Sequence, residues 1–324
     1  MEILGKINPP PRRSDSDPPR RRLHERRLKA VAVLPSLATL GNLLCGLGAI
    51  YMCLLSYDAG GADLATRTLN SPRIEWWFPT YAAIGCYLLL LAAAFDALDG
   101  RLARLTRRTT EFGAQLDTLA DIVSFGVAPA LLAMCVVRPL LPLAQLGEPA
   151  RLWWRVEWAL LAGYVCCAAL RLARFNVENE EDESSHLHFK GLPSPGAAAA
   201  LIGLVLVHED IIRASGAARA AVVLSALLPW AALALGLLMV SRLRYYHLIN
   251  AVLRGRRPFR QLVLIFFVLL IGGLSKPQLT FALAATAYAA GGPTAWLLRR
   301  LRPPAGTLPA GAPQRAADAE KRVV

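Results

Sequence analysis

Apolar stretches of 15 to 25 residues alternate with short charged segments along most of this 324-residue chain. A helix needs about 20 apolar residues to cross the hydrocarbon core of a bilayer. The alternation therefore predicts an all-α, polytopic transmembrane helix bundle with eight spans, at roughly 31–55, 78–99, 113–137, 155–175, 195–213, 218–241, 261–275 and 277–298. The first six form the core. The seventh is short and is followed by the tight turn Ser275-Lys276-Pro277, so the last two read as a C-terminal pair, a shallow hairpin.

Composition agrees with the pattern. At 55% hydrophobic residues the chain is too apolar for a water-soluble protein of this length. A net charge of +13 raises the question of nucleic acid. The basic residues, however, sit in the gaps between apolar runs, and 28 of the 36 Lys and Arg fall on the side of the bilayer that holds the N-terminus. That asymmetry excludes a nucleic-acid face and predicts cytoplasmic termini, with loops 100–112, 176–194 and 242–260 on the cytoplasmic side. Trp76-Trp77 and Trp153-Trp154 fit aromatic belts at the opposite interface. The expected setting is a bacterial inner membrane.

Three regions follow: a basic tail over 1–30, a membrane domain over 31–300 and a disordered tail over 301–324 rich in Pro, Ala and Gly. The polar stretch before the first apolar run is too long for a cleaved signal peptide, and the run itself is long enough to span. Within the basic tail, residues 1–19 have a disordered composition, and RRRLHERRLK over 20–29 is either a short helix on an anionic membrane surface or a solvated tail. The six cysteines lie in apolar runs without C-x-x-C or Cys/His spacing, which makes them packing residues rather than a zinc site or a disulfide framework.

The chemistry-bearing stretch is DALDGRLARLTRRTTEFGAQLDTLAD, Asp96 to Asp121. A carboxylate at membrane depth costs roughly 2.5 kcal/mol or more and needs a compensating role. Asp96 and Asp99 are three residues apart and Asp117 and Asp121 four apart, so each pair lies on one helix face. Two such faces meeting across a short basic loop make an oxygen-rich cage suited to Mg2+ or Mn2+. Helix-end carboxylates paired with Arg101, Arg104, Arg107 and Arg108 are the plainer alternative, but they do not explain why two acids sit inside the third span.

The full pattern, D-x2-D-G-x2-A-R-x8-G-x3-D-x3-D, resembles the motif of the CDP-alcohol phosphatidyltransferase family, integral membrane enzymes of phospholipid synthesis. The resemblance implies attack of an alcohol on the lipid-side phosphorus of a CDP-linked lipid, with CMP as leaving group. It implies a two-metal site in which Asp96, Asp99 and Asp117 hold one divalent cation and Asp96, Asp117 and Asp121 the second. Asp121 is then placed to take the alcohol proton. Gly100 and Ala103 would leave room for the nucleotide against the helix end, Arg104 would grip the pyrophosphate, and Gly113 would let the second and third spans approach closely. Pro35, Thr39, Asn42 and Gly46 share one face of the first span. By resemblance Thr39 and Asn42 contact the nucleotide, whereas the plainer reading of Asn42 is a helix–helix hydrogen bond. Dimers are usual in the family.

The acceptor alcohol is read from 171–196. Arg171, Ala173, Arg174, Phe175 and Asn176, then Phe189, Gly191, Leu192, Pro193 and Pro195, resemble the branch of the family that uses L-serine with CDP-diacylglycerol. The downstream run MVSRLRYYHL (239–248) shares this resemblance with one departure: Tyr246-His247 stands where that branch continues with Pro-Ser. Arg171 and Arg174 can bind the serine carboxylate or a lipid phosphate, or snorkel to the interface. The acidic run from Glu178 to Glu183 reads as a solvated loop, and the five histidines show no ligand spacing. Two other readings compete: the same chemistry with glycerol 3-phosphate, which lacks an evident second phosphate cradle here, and a cation transporter, which would place its acids mid-bilayer in interrupted helices.

Overall fold

The computed structural model describes residues 19–58, 80–106, 111–137, 148–181, 189–215, 218–245, 267 and 269–301. The elements are α1 (Pro19–Asp58), α2 (Tyr81–Thr106), α3 (Glu111–Asp121), a π-helix (Ile122–Val127), α4 (Ala128–Val137), α5 (Glu148–Glu181), β1 (Phe189–Lys190), α6 (Ser194–Ser215), α7 (Ala218–Val240), β2 (Arg244–Tyr245) and α8 (Pro277–Leu301). Residues 269–275 are also helical. The basic stretch 20–29 is not a separate helix: it continues into the first span within α1, since its Arg, Leu, Glu and Lys are good helix formers.

Among the described residues, six helical segments are long and apolar enough to cross a membrane: Ser36–Tyr57, Tyr81–Leu102, Glu111–Val137, Pro149–Val177, Ser194–Ile212 and Arg219–Val240. This is the architecture of an integral membrane protein, and these six coincide with the first six predicted spans. The first part of the predicted seventh span with its flank (246–266), the tails 1–18 and 302–324, and Trp76-Trp77 lie outside the described residues. Large apolar side chains on the helix exteriors, such as Leu44, Leu54, Leu91 and Trp230, stay exposed in the chain by itself, as lipid-facing positions do.

The chain divides into two compact units at Leu132/Ala133. In the first, α1 packs along α2 and also touches α3 and the π-helix. Small residues make this possible. A Cβ on Gly41 would meet the Phe95 ring at 3.1 Å, and one on Gly46 would collide with Ser124 Oγ. Thr80 starts α2 by accepting the Ala83 N–H on its hydroxyl (3.1 Å).

In the second unit, α5 packs on α7, α6 on α7, and α8 on α6. A two-residue antiparallel ladder pairs Phe189 with Tyr245 and Lys190 with Arg244. Gly191 turns the chain from this ladder into α6 with φ +87°, a conformation favouring glycine. Its N–H donates to Leu243 O (2.8 Å), and any Cβ there would strike Met239 O. Cys45, Cys86, Cys166 and Cys167 are free thiols, as expected of packing residues. Cys53 and Cys135 depart from that expectation, because both are disulfide-bonded.

Candidate functional site

The site lies in the first unit, where the end of α2 meets α3. Asp96, Asp99 and Asp117 bring one carboxylate oxygen each to within 4.8 Å of one another. The i, i+3 spacing on α2 turns Asp96 and Asp99 to the same side, and α3 presents Asp117 to them. Asp99 is 5% exposed and Asp121 8%, although Asp99 lies only a residue from exposed Gly100.

α1 supplies one hydrogen-bonding side chain to each acidic helix. Thr39 hydrogen-bonds the Asp99 side chain. Three residues on, Asn42 donates Nδ2 to Asp121 Oδ1 at 3.0 Å. Both are buried, Asn42 completely. Asn42 is held in turn by its own backbone: Ser124 of the π-helix donates Oγ to Asn42 O at 3.1 Å. The contact between Gly46 and Ser124 is therefore what seats the π-helix, and with it the end of α3, against α1. Ser124 was not singled out in the sequence; a serine in an apolar span is its only local signal.

Asp121 stands outside the three-carboxylate cluster but within range of the charges of Asp96, Asp117 and Asp99. The crowding sets up a repulsion that a cation relieves. Asp99 Oδ2, Asp117 Oδ1 and Asn42 Oδ1 are buried and have no hydrogen-bond partner. Buried polar atoms are normally satisfied, so orphaned acceptors on these three residues mark a place for a ligand. The donors are all hard oxygens, which fits a divalent cation such as Mg2+ or Mn2+ rather than zinc or copper.

Gly100 is exposed, and a Cβ placed on it would meet nothing within 4 Å. Neither packing nor a positive φ requires glycine there. Ala103 and Arg104 continue α2 one turn further. Gly113 is half-buried in the first turn of α3.

Arg171 and Arg174 belong to the second unit, near the end of α5. Arg171 donates Nη1 to Ser194 Oγ at 2.7 Å and lies 6.0 Å from the Phe175 ring centre. Tyr245, in the run that departs from the expected motif, is buried. Its hydroxyl donates to Ala289 O at 2.9 Å, and its ring packs on Gly292. It fastens the ladder to α8.

A family model described as CDP-alcohol phosphatidyltransferase matches residues 32–291 of this chain. A Helicobacter pylori protein named CDP-diacylglycerol–serine O-phosphatidyltransferase is 35% identical over 162 residues, covering 50% of this chain and 60% of that protein. Proteins of the same name are similar in Saccharomyces cerevisiae, 36% identical over 131 residues (39% of this chain, 42% of that one). In Methanocaldococcus jannaschii the identity is 34% over 159 residues (49% and 61%). The chain thus spans about 60% of the length of the Helicobacter pylori relative it matches.

Proposed function

We propose that this chain, which belongs to the CDP-alcohol phosphatidyltransferase family, transfers the phosphatidyl group of CDP-diacylglycerol to L-serine, giving phosphatidylserine and CMP. The observation that carries the reading is the convergence of Asp96, Asp99 and Asp117, with unpartnered oxygens on two of them. The names of the relatives support serine as the acceptor.

Asp96, Asp99 and Asp117 would hold one divalent cation, and Asp96, Asp117 and Asp121 a second. When bound, such cations neutralise the pyrophosphate and polarise its phosphoryl oxygens. The chain's own residues do the rest. The open face at Gly100 and Ala103 receives the nucleotide, Arg104 grips the pyrophosphate, and Thr39 and Asn42 line the same place. Gly113 keeps the second and third spans close.

A serine hydroxyl has a pKa far above neutrality, so attack requires a base in reach. Asp121, its carboxylate oriented by Asn42, takes that proton as the serine oxygen bonds to the lipid-side phosphorus. The bond from this phosphorus to the bridging oxygen breaks, and CMP departs with the electron pair. Arg171 and Arg174 are the candidates for the serine carboxylate or a lipid phosphate. The proposal includes the two further C-terminal spans, cytoplasmic termini, a cytoplasmic-facing site in a bacterial inner membrane, and a homodimer.

The test is CMP release from CDP-diacylglycerol by purified protein, with L-serine, with glycerol 3-phosphate and with neither. Release that depends on serine and yields phosphatidylserine is expected. Turnover with glycerol 3-phosphate alone would keep the family and change the acceptor. For orientation, a cysteine at Thr109, in a background without native thiols, should react only with membrane-permeant reagents in intact cells.

A further inference from the structure

The second unit gathers several helix termini at one end. Arg171 Nη1 reaches Ser194 Oγ at the start of α6, the Leu192 N–H donates to Leu238 O near the end of α7 (3.0 Å), and Tyr245 is bonded to Ala289 in α8. Late α5, early α6, late α7 and the second half of α8 therefore share this end. Because α6 and α7 are both span-length, the end belongs at a membrane–water interface.

A cavity of about 180 Å3 opens here, lined by Arg242, Leu243, Gly292, Ala295, Trp296 and Arg299. This is several times the ~30 Å3 share of a water molecule. No carboxylate is among the described residues that line it. Arg300 lies over the Trp296 ring, 5.3 Å from its centre, and braces that wall. Arg242 and Arg299 together with Leu243, Ala295 and Trp296 give the recess a lining that is both cationic and apolar.

We infer that this recess is a phosphate-binding site, separate from the transfer chemistry. A guanidinium offers a rigid fork of donors matched to phosphate oxygens, and the two arginines that line this cavity carry charge enough to neutralise a phosphodiester. The apolar wall suits the glycerol and first methylenes of an anionic lipid, and basic recesses between helix ends at an interface hold such head groups. Free inorganic phosphate offers the same oxygens without the apolar part. All six lining residues belong to the second unit, and none carries a role in the proposed transfer.

The test uses full-length protein in mixed micelles containing either phosphatidylglycerol or phosphatidylcholine, with retained lipid counted by native mass spectrometry. Wild type should retain phosphatidylglycerol in preference to phosphatidylcholine. Arg242→Gln with Arg299→Gln should weaken retention about tenfold, the loss of roughly one charge-assisted hydrogen bond. Ala295→Phe, which fills the recess without changing charge, should do the same. Size-exclusion profiles and serine-dependent CMP release should match wild type in both variants. If millimolar inorganic phosphate protects wild type from unfolding, fails to protect the variants and displaces the lipid, the ligand is free phosphate. If it does neither, the ligand is the lipid head group. Equal lipid retention in wild type and both variants, or no response to either probe, would overturn the site.

Discussion

In the second unit, His208 of α6 shares hydrogen bonds with Glu209 through one ring nitrogen (3.2 Å) and with Ser225 of α7 through the other (2.8 Å), and all three side chains are buried. In the first unit, Asn42, Asp99, Asp117 and Asp121 are buried or nearly so, yet Asn42 Oδ1, Asp99 Oδ2 and Asp117 Oδ1 have nothing to bond. Both units place costly polar groups inside span-length helices. The His208 group satisfies its polar atoms from within, so it acts as a staple between α6 and α7. The aspartate cluster holds acceptors open, where an external ligand can satisfy them. The lesson is that burial alone does not mark a site among membrane-embedded acids; several acids converging with unmet acceptors do.

The largest expected effects break the open side of this contrast. Asp121→Asn keeps the size and one ligand oxygen but removes most basicity. Phosphatidylserine formation should fall by about 10²–10⁴-fold while binding of CDP-diacylglycerol is largely kept. Turnover within a few-fold of wild type would remove Asp121 from the base role. Asp96→Ala and Asp117→Ala, at the proposed shared ligands, should cost far more activity than Thr39→Ala. Similar mild losses in all three would count against the assignment.

Chelation addresses the same side without mutation. EDTA should abolish CMP release, and Mg2+ or Mn2+ should restore it. Full activity in a metal-free sample would mean that the orphaned oxygens serve something other than a cation.

The staple is tested by His208→Ala, which leaves Glu209 and Ser225 buried without their partner. A loss of about 1–3 kcal/mol is expected, read as a lower unfolding temperature in detergent, with the metal dependence of turnover unchanged. A shift in metal requirement instead would erase the distinction between the two regions. The smallest effects concern two glycines of the first unit. Gly100→Ala meets open space in a helix and should stabilise by roughly 0.5–1 kcal/mol, yet raise the KM for CDP-diacylglycerol. Gly46→Ala strikes Ser124 and should destabilise. Equal stability in both variants would remove the argument that Gly100 is kept for a ligand.

Much of the first unit was legible because its information is local. Span length is a property of contiguous residues, and the i, i+3 and i, i+4 spacings placed each aspartate pair on one face before any fold was known. The bond between Asn42 and Asp121 fits the plainer of the two readings of Asn42, an interhelical hydrogen bond, and leaves its amide oxygen, Oδ1, for a ligand. What stayed hidden depends on distant partners. Ser225 is seventeen residues from His208 on another helix, and no periodicity announces the pair. The Phe189–Tyr245 pairing joins segments over fifty residues apart through backbone groups, which every residue has. The disulfide bonding of Cys53 and Cys135 was equally invisible, because apolar flanks look the same around a free thiol and a bonded one.

The π-helix at Ile122–Val127 was hidden for a different reason: IVSFGV is almost uniformly apolar, and Ser124 alone is too little to report its phase. A π turn accommodates one residue more than an α turn. The acid-bearing face of α3 and the packing face that begins at Ala128 are therefore set in different phases along one continuous rod. The insertion works like a gear between them. Substitutions beyond Ala128 can repack the bundle without re-aiming Asp117 and Asp121. Deleting a single residue from this stretch would turn the two faces against each other by about 100°. The aim of the carboxylates is thus governed by an insertion rather than by any one side chain, and length changes here, more than substitutions, are the route by which the site would be lost or redirected.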